Sequence, residues 1–177
     1  IAMVFVMFVF GVNQGMQPIA GFNFGAKHYT RLNQVLKYAI TIATGIWIVG
    51  FIVCVLLATP VASAFTNDEE LLKEAAHALR VMNLVVPIIG FQMITIGFFQ
   101  SIGKAGISIF LSLTRQLLFL VPLLLILPNF FGLEGIWYSV PIADGTAAIT
   151  AAIVLIYHMR KFKMRGKLEN SNLQTEI

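Results

Sequence analysis

The chain alternates long apolar runs with short polar links. Five runs approach the roughly 20 residues that a helix needs to cross a hydrocarbon core of about 30 Å. They cover residues 1–24, 36–65, 78–102, 106–127 and 133–158. Strands of a membrane barrel would instead alternate apolar and polar residues over about ten positions. The pattern therefore predicts an all-α integral membrane protein, a bundle of five transmembrane helices.

The composition agrees with this prediction. Hydrophobic residues make up 58% of the chain and charged residues 11%, whereas about a quarter of a soluble domain is charged. So few charges cannot coat a water-soluble globule, and the apolar surplus must face lipid. Residues 1–160 are therefore predicted to form one transmembrane domain. Residues 161–177 are polar and are predicted to be a disordered cytoplasmic tail.

Basic residues are concentrated in alternate links. The other two links carry only Lys73 and Arg80, beside several acidic residues. By the positive-inside rule, the tail and the odd-numbered links face the cytoplasm of a cell membrane. The net charge of +4 thus reflects topology rather than nucleic-acid binding. The basic residues of the first link, the third link and the tail are Lys27, Arg31, Lys37, Lys104, Arg160, Lys161, Lys163, Arg165 and Lys167.

The first apolar run contains an unusual number of amides. The segment GVNQGMQPIAGFNFGAKHYTR, residues 11–31, includes Gln14, Gln17 and Asn23, with Pro18 among them. Amides in lipid are costly unless they find partners or a watery cavity, and Gln14 and Gln17 share one helix face. Two interpretations stay open: the amides hydrogen-bond neighbouring helices, or they line a substrate cavity.

Polar residues recur in the later runs. Gln92 and Gln100 of the third run are candidates for another wall of the same cavity. Arg115 and Asp144 each lie about ten residues inside adjacent antiparallel spans, hence roughly 15 Å deep from opposite sides. We expect the two charges to approach one another. The pair then either sets helix register as a static contact, or Asp144 takes up a coupling proton.

Four segments together resemble one family of transporters. Residues 11–31 are similar to the second helix of the C-terminal lobe in the MATE family of multidrug and toxic-compound extruders. FFQSIGKAG (98–106), TRQLLFLVPL (114–123) and GLEGIWYSVPIAD (132–144) resemble parts of its tenth, eleventh and twelfth helices, in the same order. The first motif is long and specific, and the others add weight by their order.

The resemblance implies a twelve-helix, two-lobed transporter that exports cationic amphipathic compounds in exchange for protons or sodium ions. This chain would supply helices eight to twelve, a fragment of the C-terminal lobe that we expect to be inactive alone. Its implied partners are small cationic or amphipathic drugs, membrane lipid and the N-terminal lobe of the same polypeptide. No cofactor is implied beyond the ion gradient. Sodium-coupled members carry an acidic residue in the third of these helices, and residues 78–102 contain none.

Two other function classes remain as alternatives. A lipid-linked precursor flippase of the same superfamily would need a more cationic cavity, whereas Arg115 is the only basic residue in the middle of a predicted span; Lys37 and Arg80 lie at span ends. A non-transporting membrane assembly subunit would need few intramembrane polar groups. The sequence also lacks HExxH, GxSxG and phosphate-loop patterns and shows no metal ligand set, so no enzyme is predicted.

Overall fold

The computed structural model of the protein describes residues 2–63 and 86–175. Within these ranges all regular structure is helical, which confirms the predicted all-α class. In chain order the elements are α1 (Ala2–Gly25), α2 (Tyr29–Ser63), α3 (Val86–Ser101), α4 (Ala105–Leu113), a π-helix π1 (Thr114–Leu120) and α5 (Val121–Thr175).

The described helices overlap all five predicted runs, with different boundaries. Two apolar stretches, Met3–Gly25 and Tyr29–Val53, are each long and apolar enough to cross a membrane. The stretch Ala105–Phe162 has 58 residues, which at 1.5 Å per residue is nearly three times the length that one crossing requires. It is divided at Gly132, whose φ of 57° and ψ of −135° are not helical. α3 is shorter, with 16 residues, and the link predicted between the second and third runs, residues 66–77, lies entirely outside the described residues.

α2 begins seven residues before the predicted start of the second run. Leu32 and Leu36 are buried while Arg31 and Lys37 are exposed, which is the pattern of an amphipathic helical turn. The polar link is therefore wound into the helix, because its apolar positions already face the core. Mean hydropathy, averaged over the apolar run, does not detect such a turn, because the turn also contains charged residues.

The two short links end their helices in the same way. Lys27 has φ 59° and Gly103 has φ 73°, the left-handed conformation that closes many helix C-termini. His28 then donates its backbone N–H to Asn23 O at 2.9 Å, and Lys104 donates to Phe99 O at 2.9 Å. Each bond satisfies a carbonyl that the helix end would otherwise leave without a partner.

An aromatic cluster ties several helices together at one end. The ring of Phe162 lies 5.5 Å from Phe24 and 6.0 Å from Tyr29. Lys104 Nζ lies 4.8 Å from the centre of the same ring, and His158 packs edge-on against Phe99 at 5.2 Å. The first link, the third link and residues 158–162 therefore share one end, as the distribution of basic residues requires.

α3 occupies the centre, in contact with α1, α2, α4 and α5. Its phenylalanines Phe98 and Phe99 are fully buried. Leucine, isoleucine and phenylalanine side chains are exposed along the outer faces of the bundle, where lipid replaces water as the solvent. The main cluster of buried apolar side chains among the described residues consists of Val9, Met16, Ala20, Leu32, Leu36, Ala39, Ala43, Trp47, Ile94, Phe98, Phe99, Ile102, Leu111, Ala151, Leu155 and Phe162.

The end of the chain differs from the predicted disordered tail. The backbone of α5 stays helical to Thr175, well beyond the expected boundary at residue 160. Extending an existing helix needs no new nucleus, and the Lys, Arg, Met, Leu, Glu and Gln residues after Lys161 are good helix formers. Polarity alone predicted that the tail leaves the membrane, but it did not determine the conformation of the backbone.

An intramembrane charge pair as the candidate functional site

The structure brings Arg115 and Asp144 together. Arg115 Nε donates a hydrogen bond to Asp144 Oδ1 at 2.6 Å, and this contact is also the ion pair. The Asp144 side chain is 4% exposed and the Arg115 side chain 36%. Counting residues from the ends of the two spans thus placed both charges at the same depth in the membrane. Whether the pair couples transport to an ion remains a prediction.

Arg115 lies in a helical turn wider than an α-turn. The N–H of Thr114 still donates to Phe110 O and Leu111 O, but the N–H of Val121 donates to Gln116 O, five residues back. A proline follows at position 122 and has no N–H to donate, and its ring crowds the carbonyl four residues before it. The wide turn moves that carbonyl away from the ring. Sequence reasoning missed π1, although the proline was a visible signal.

Asp144 is held by the half of α5 that follows Gly132. That half folds back toward π1, because its Asp144 contacts Arg115. At the fold, a side chain on Gly135 would lie 2.6 Å from the carbonyl carbon of Leu127 and 2.8 Å from the nitrogen of Pro128. Only glycine fits such a close backbone approach. The tight fold-back therefore sets the distance between the two charges.

The five predicted cavity amides do not share one environment. Asn23 is buried and donates Nδ2 to Ile19 O of its own helix at 2.8 Å. Gln92 is buried, and its Nε2 has no hydrogen-bond partner among the described residues. Gln14 and Gln100 are exposed, and Gln17 is half-buried. Burial thus leaves Gln14, Gln17 and Gln100 accessible at the surface of the bundle, whereas Asn23 and Gln92 face its interior.

Two polar side chains that were not named as site residues lie in the helix contacts. The amide of Asn13 packs directly on Gly97 of α3, and its Oδ1 has no partner within the described part of the chain. Trp47 packs in the same way on Gly90, and its Nε1 also lacks a partner there. The sequence offered a signal in the paired glycines seven residues apart on α3, which lie on one helix face.

A third polar residue was also overlooked. Gln116 follows Arg115 in π1 and is exposed. It lies in the interior of an apolar stretch, about 16 Å from the start of α4 at 1.5 Å per residue. An amide at that depth next to a charge was a usable signal, since lipid does not satisfy its hydrogen bonds.

Comparison with known proteins identifies the family. The sequence model of the MatE family matches residues 1–126, more than half of the chain. The multidrug export protein MepA of Staphylococcus aureus strain MSSA476 is 25% identical over 154 residues, which are 87% of this chain and 34% of that protein. MepA of Staphylococcus haemolyticus is 23% identical over the same share of this chain and 33% of its own length.

Solved structures share the fold. The MATE multidrug transporter DinF-BH, solved as a complex with a bound compound, matches with a TM-score of 0.83 and 39% identity, over 90% of this chain and 36% of the other. A multidrug resistance MATE family transporter in an inward-facing conformation matches with a TM-score of 0.84 and 26% identity, over 92% and 38%. The chain spans about a third of the length of these proteins. Its sequence and its helical arrangement agree, and the chain belongs to the MatE family as a multi-pass membrane protein.

Proposed function

We propose that the chain works as part of a secondary active multidrug exporter, contributing its C-terminal lobe. The exporter moves cationic amphipathic compounds out of the cell in exchange for protons or sodium ions. The observation that supports this most is the Arg115–Asp144 pair, an opposite-charge contact held inside apolar helices. Ionisable groups at that depth are expensive and are retained mainly for function. The names of the MepA relatives, and of the multidrug transporter DinF-BH, support the multidrug class.

Charge balance favours a cationic substrate over the pyrophosphate of a lipid-linked precursor. In the interior of the described helices, the basic charge of Arg115 is compensated by Asp144. A compensated guanidinium adds no net positive charge to a cavity. A pyrophosphate carries several negative charges and would need uncompensated arginine or lysine side chains. The flippase alternative therefore has less support than the drug exporter.

The exposed amides are the proposed contribution of this chain to the substrate cavity. Gln14, Gln17 and Gln100 are accessible at the surface of the bundle. Since their hydrogen-bonding groups cannot face hydrocarbon without cost, we place them toward the central cavity, whose other wall belongs to the remaining two thirds of the transporter. Asn23 and Gln92 have a packing role in this proposal.

The proposal is tested by efflux from a drug-sensitive bacterial host. The complete polypeptide that contains this chain should lower the accumulation of a fluorescent cationic dye, and collapse of the proton and sodium gradients should restore it. Unchanged dye retention, with the protein present in the membrane, would reject the exporter. We expect the 177-residue chain alone to give no export, because the second wall of the cavity would be absent.

The role of the charge pair is separated by D144N in the complete transporter. Loss of efflux at normal membrane abundance supports coupling through Asp144, whereas loss of the folded protein supports a static pair. E134Q is the matched control, since Glu134 is exposed and lies outside the contact. Cysteine labelling from each side of the cell membrane tests the proposed cytoplasmic position of residues 161–177.

A further inference from the structure

The wide turn π1 and the charge pair coincide at one place in the fold. Arg115 is the second residue of π1, and its partner Asp144 lies on the half of α5 that folds back toward π1. A π-turn accommodates about one residue more than an α-helix of the same length, and such turns are frequent at functional sites. The helix thus contains an additional residue next to a contact with another helix.

We infer that Asp144 is a positioning residue: through Arg115 it holds the extra residue of the fourth span at π1, and its neutralisation releases that residue to move along the span. In an α-helix each residue turns the chain by about 100°. If the wide turn moves from π1 toward the N-terminus, along the whole of α4, then α4 rotates by about that angle relative to α5. The ion pair determines which of the two arrangements is occupied.

The sequence around π1 permits both arrangements. Leu113, Leu117 and Leu118 are exposed on the outer face, so that a rotation exchanges one leucine for another against lipid. Only Thr114 of π1 is buried. Two kinds of contact distinguish one register from the next: the burial of Ser108, Leu111 and Thr114, and the hydrogen bond from Arg115 Nε to Asp144 Oδ1. Neutralising Asp144 changes only the second. Pro122 keeps the outer end of the turn open, because no N–H is available there to close an α-turn.

Spin labels on outward-facing positions measure the rotation. One label replaces Ile109 on α4, which is 57% exposed, and a second replaces Ile153 on α5, which is 63% exposed. Side chains lie about 5–6 Å from the helix axis, so a rotation of about 100° displaces the first label by roughly 8 Å. In lipid nanodiscs, D144N should therefore produce a new distance population several ångströms from the original one. E134Q should leave the distribution unchanged.

A reference pair and a second variant exclude trivial outcomes. Labels at Ile42 on α2 and Ile153 should keep their distance in D144N, which shows that the bundle remains assembled. R115Q/D144N should give the same new population as D144N, because both variants remove the ionic contact, and the double variant leaves no unpaired charge. An unchanged Ile109–Ile153 distance, within about 2 Å, in either folded variant contradicts the inference.

Deletion of single residues tests the extra residue itself. Removing Leu118 should convert π1 into an α-turn, leave the helices in register, and give a chain that folds in detergent like the unaltered one. Removing Ile42 from α2, which contains no wide turn to absorb the loss, should prevent assembly. In the Leu118 deletion, D144N should no longer change the label distance. Equal damage from both deletions would overturn the inference. These readouts are structural and do not depend on the proposed transport activity.

Discussion

Replacing Gly97 by alanine should separate α1 from α3. A Cβ atom at Gly97 would lie 2.7 Å from both Cγ and Nδ2 of Asn13, and closer still to its Oδ1. Overpacking of this kind costs about 1–3 kcal/mol. The alanine recovers up to about 1 kcal/mol of helix propensity. Because the buried Asn13 amide has little room to swing aside, we expect G97A to destabilise the bundle by about 1–2 kcal/mol net.

The contact with Asn13 can be isolated by a double-mutant cycle. N13A alone should cost less than about 1 kcal/mol, since the amide oxygen it removes has no partner in the described part of the chain. In the N13A background the methyl group of G97A has space, and its overpacking cost should disappear, giving a coupling energy of about 1–3 kcal/mol. G11A is the matched control, because a Cβ at Gly11 meets nothing within 4 Å.

Reversible unfolding in mixed micelles, with increasing denaturing detergent and helicity followed by circular dichroism, measures these differences. The order of stability should be G11A at or above the unaltered chain, then N13A/G97A, then G97A. If G97A unfolds at the same point as G11A, the close approach of the two helices at this level is wrong. If G97A costs as much in the N13A background as in the unaltered chain, the clash has another source.

Three further substitutions test the packing elsewhere. Trp47→Phe should lower the stability of the bundle by less than about 1.5 kcal/mol, because Nε1 has no partner among the described residues. Trp47→Ala should lower it by about 3–5 kcal/mol. Equal losses of stability in the two variants would contradict this packing. Phe162→Ala should destabilise the bundle by about 3 kcal/mol, because it removes the central ring of the aromatic cluster. Tyr157→Ala, at a position 64% exposed, should change the stability by less than about 0.5 kcal/mol. G50A should destabilise by about 1–2 kcal/mol, because its Cβ would lie 2.8 Å from the Phe5 ring, and G45A, with nothing within 4 Å, should not; both are measured by the same unfolding assay.

The sequence predicted the helices well because hydrocarbon imposes a simple requirement. A run of about 20 apolar residues must form a helix there, since only a helix satisfies its own backbone in lipid. The depth of Arg115 and Asp144 followed from counting residues along two such helices. Neither the wide turn at Thr114–Leu120 nor the helical tail could be read from hydropathy, because both depend on local backbone hydrogen bonds.

Contacts between helices were predicted less well than the helices themselves. The hydropathy values of Gly90 and Gly97 do not distinguish them from other small residues. In the structure, the side chains of Trp47 and Asn13 pack against these two glycines. Which side chain packs against which glycine depends on how the two helices are rotated relative to one another. That rotation is set by packing over the whole interface, so a single sequence does not determine it.

Apart from the buried amides of Asn13 and Gln92, several polar groups of the described helices avoid hydrocarbon in three ways. Asn23 and Ser139 bond to carbonyls of their own helices, at 2.8 and 2.6 Å, and therefore cost little wherever they face. Arg115 and Asp144 satisfy one another between helices. A third group of polar side chains faces outward from the bundle. Gln14 and Gln116 are exposed, and hydrocarbon offers such amides no hydrogen-bond partner. Since the chain spans about a third of the length of its relatives, we propose that the outward amides mark the faces where further protein or a watery cavity lies. A substrate cavity is therefore best sought at the amides that this chain leaves open, and the buried amides are better explained by packing.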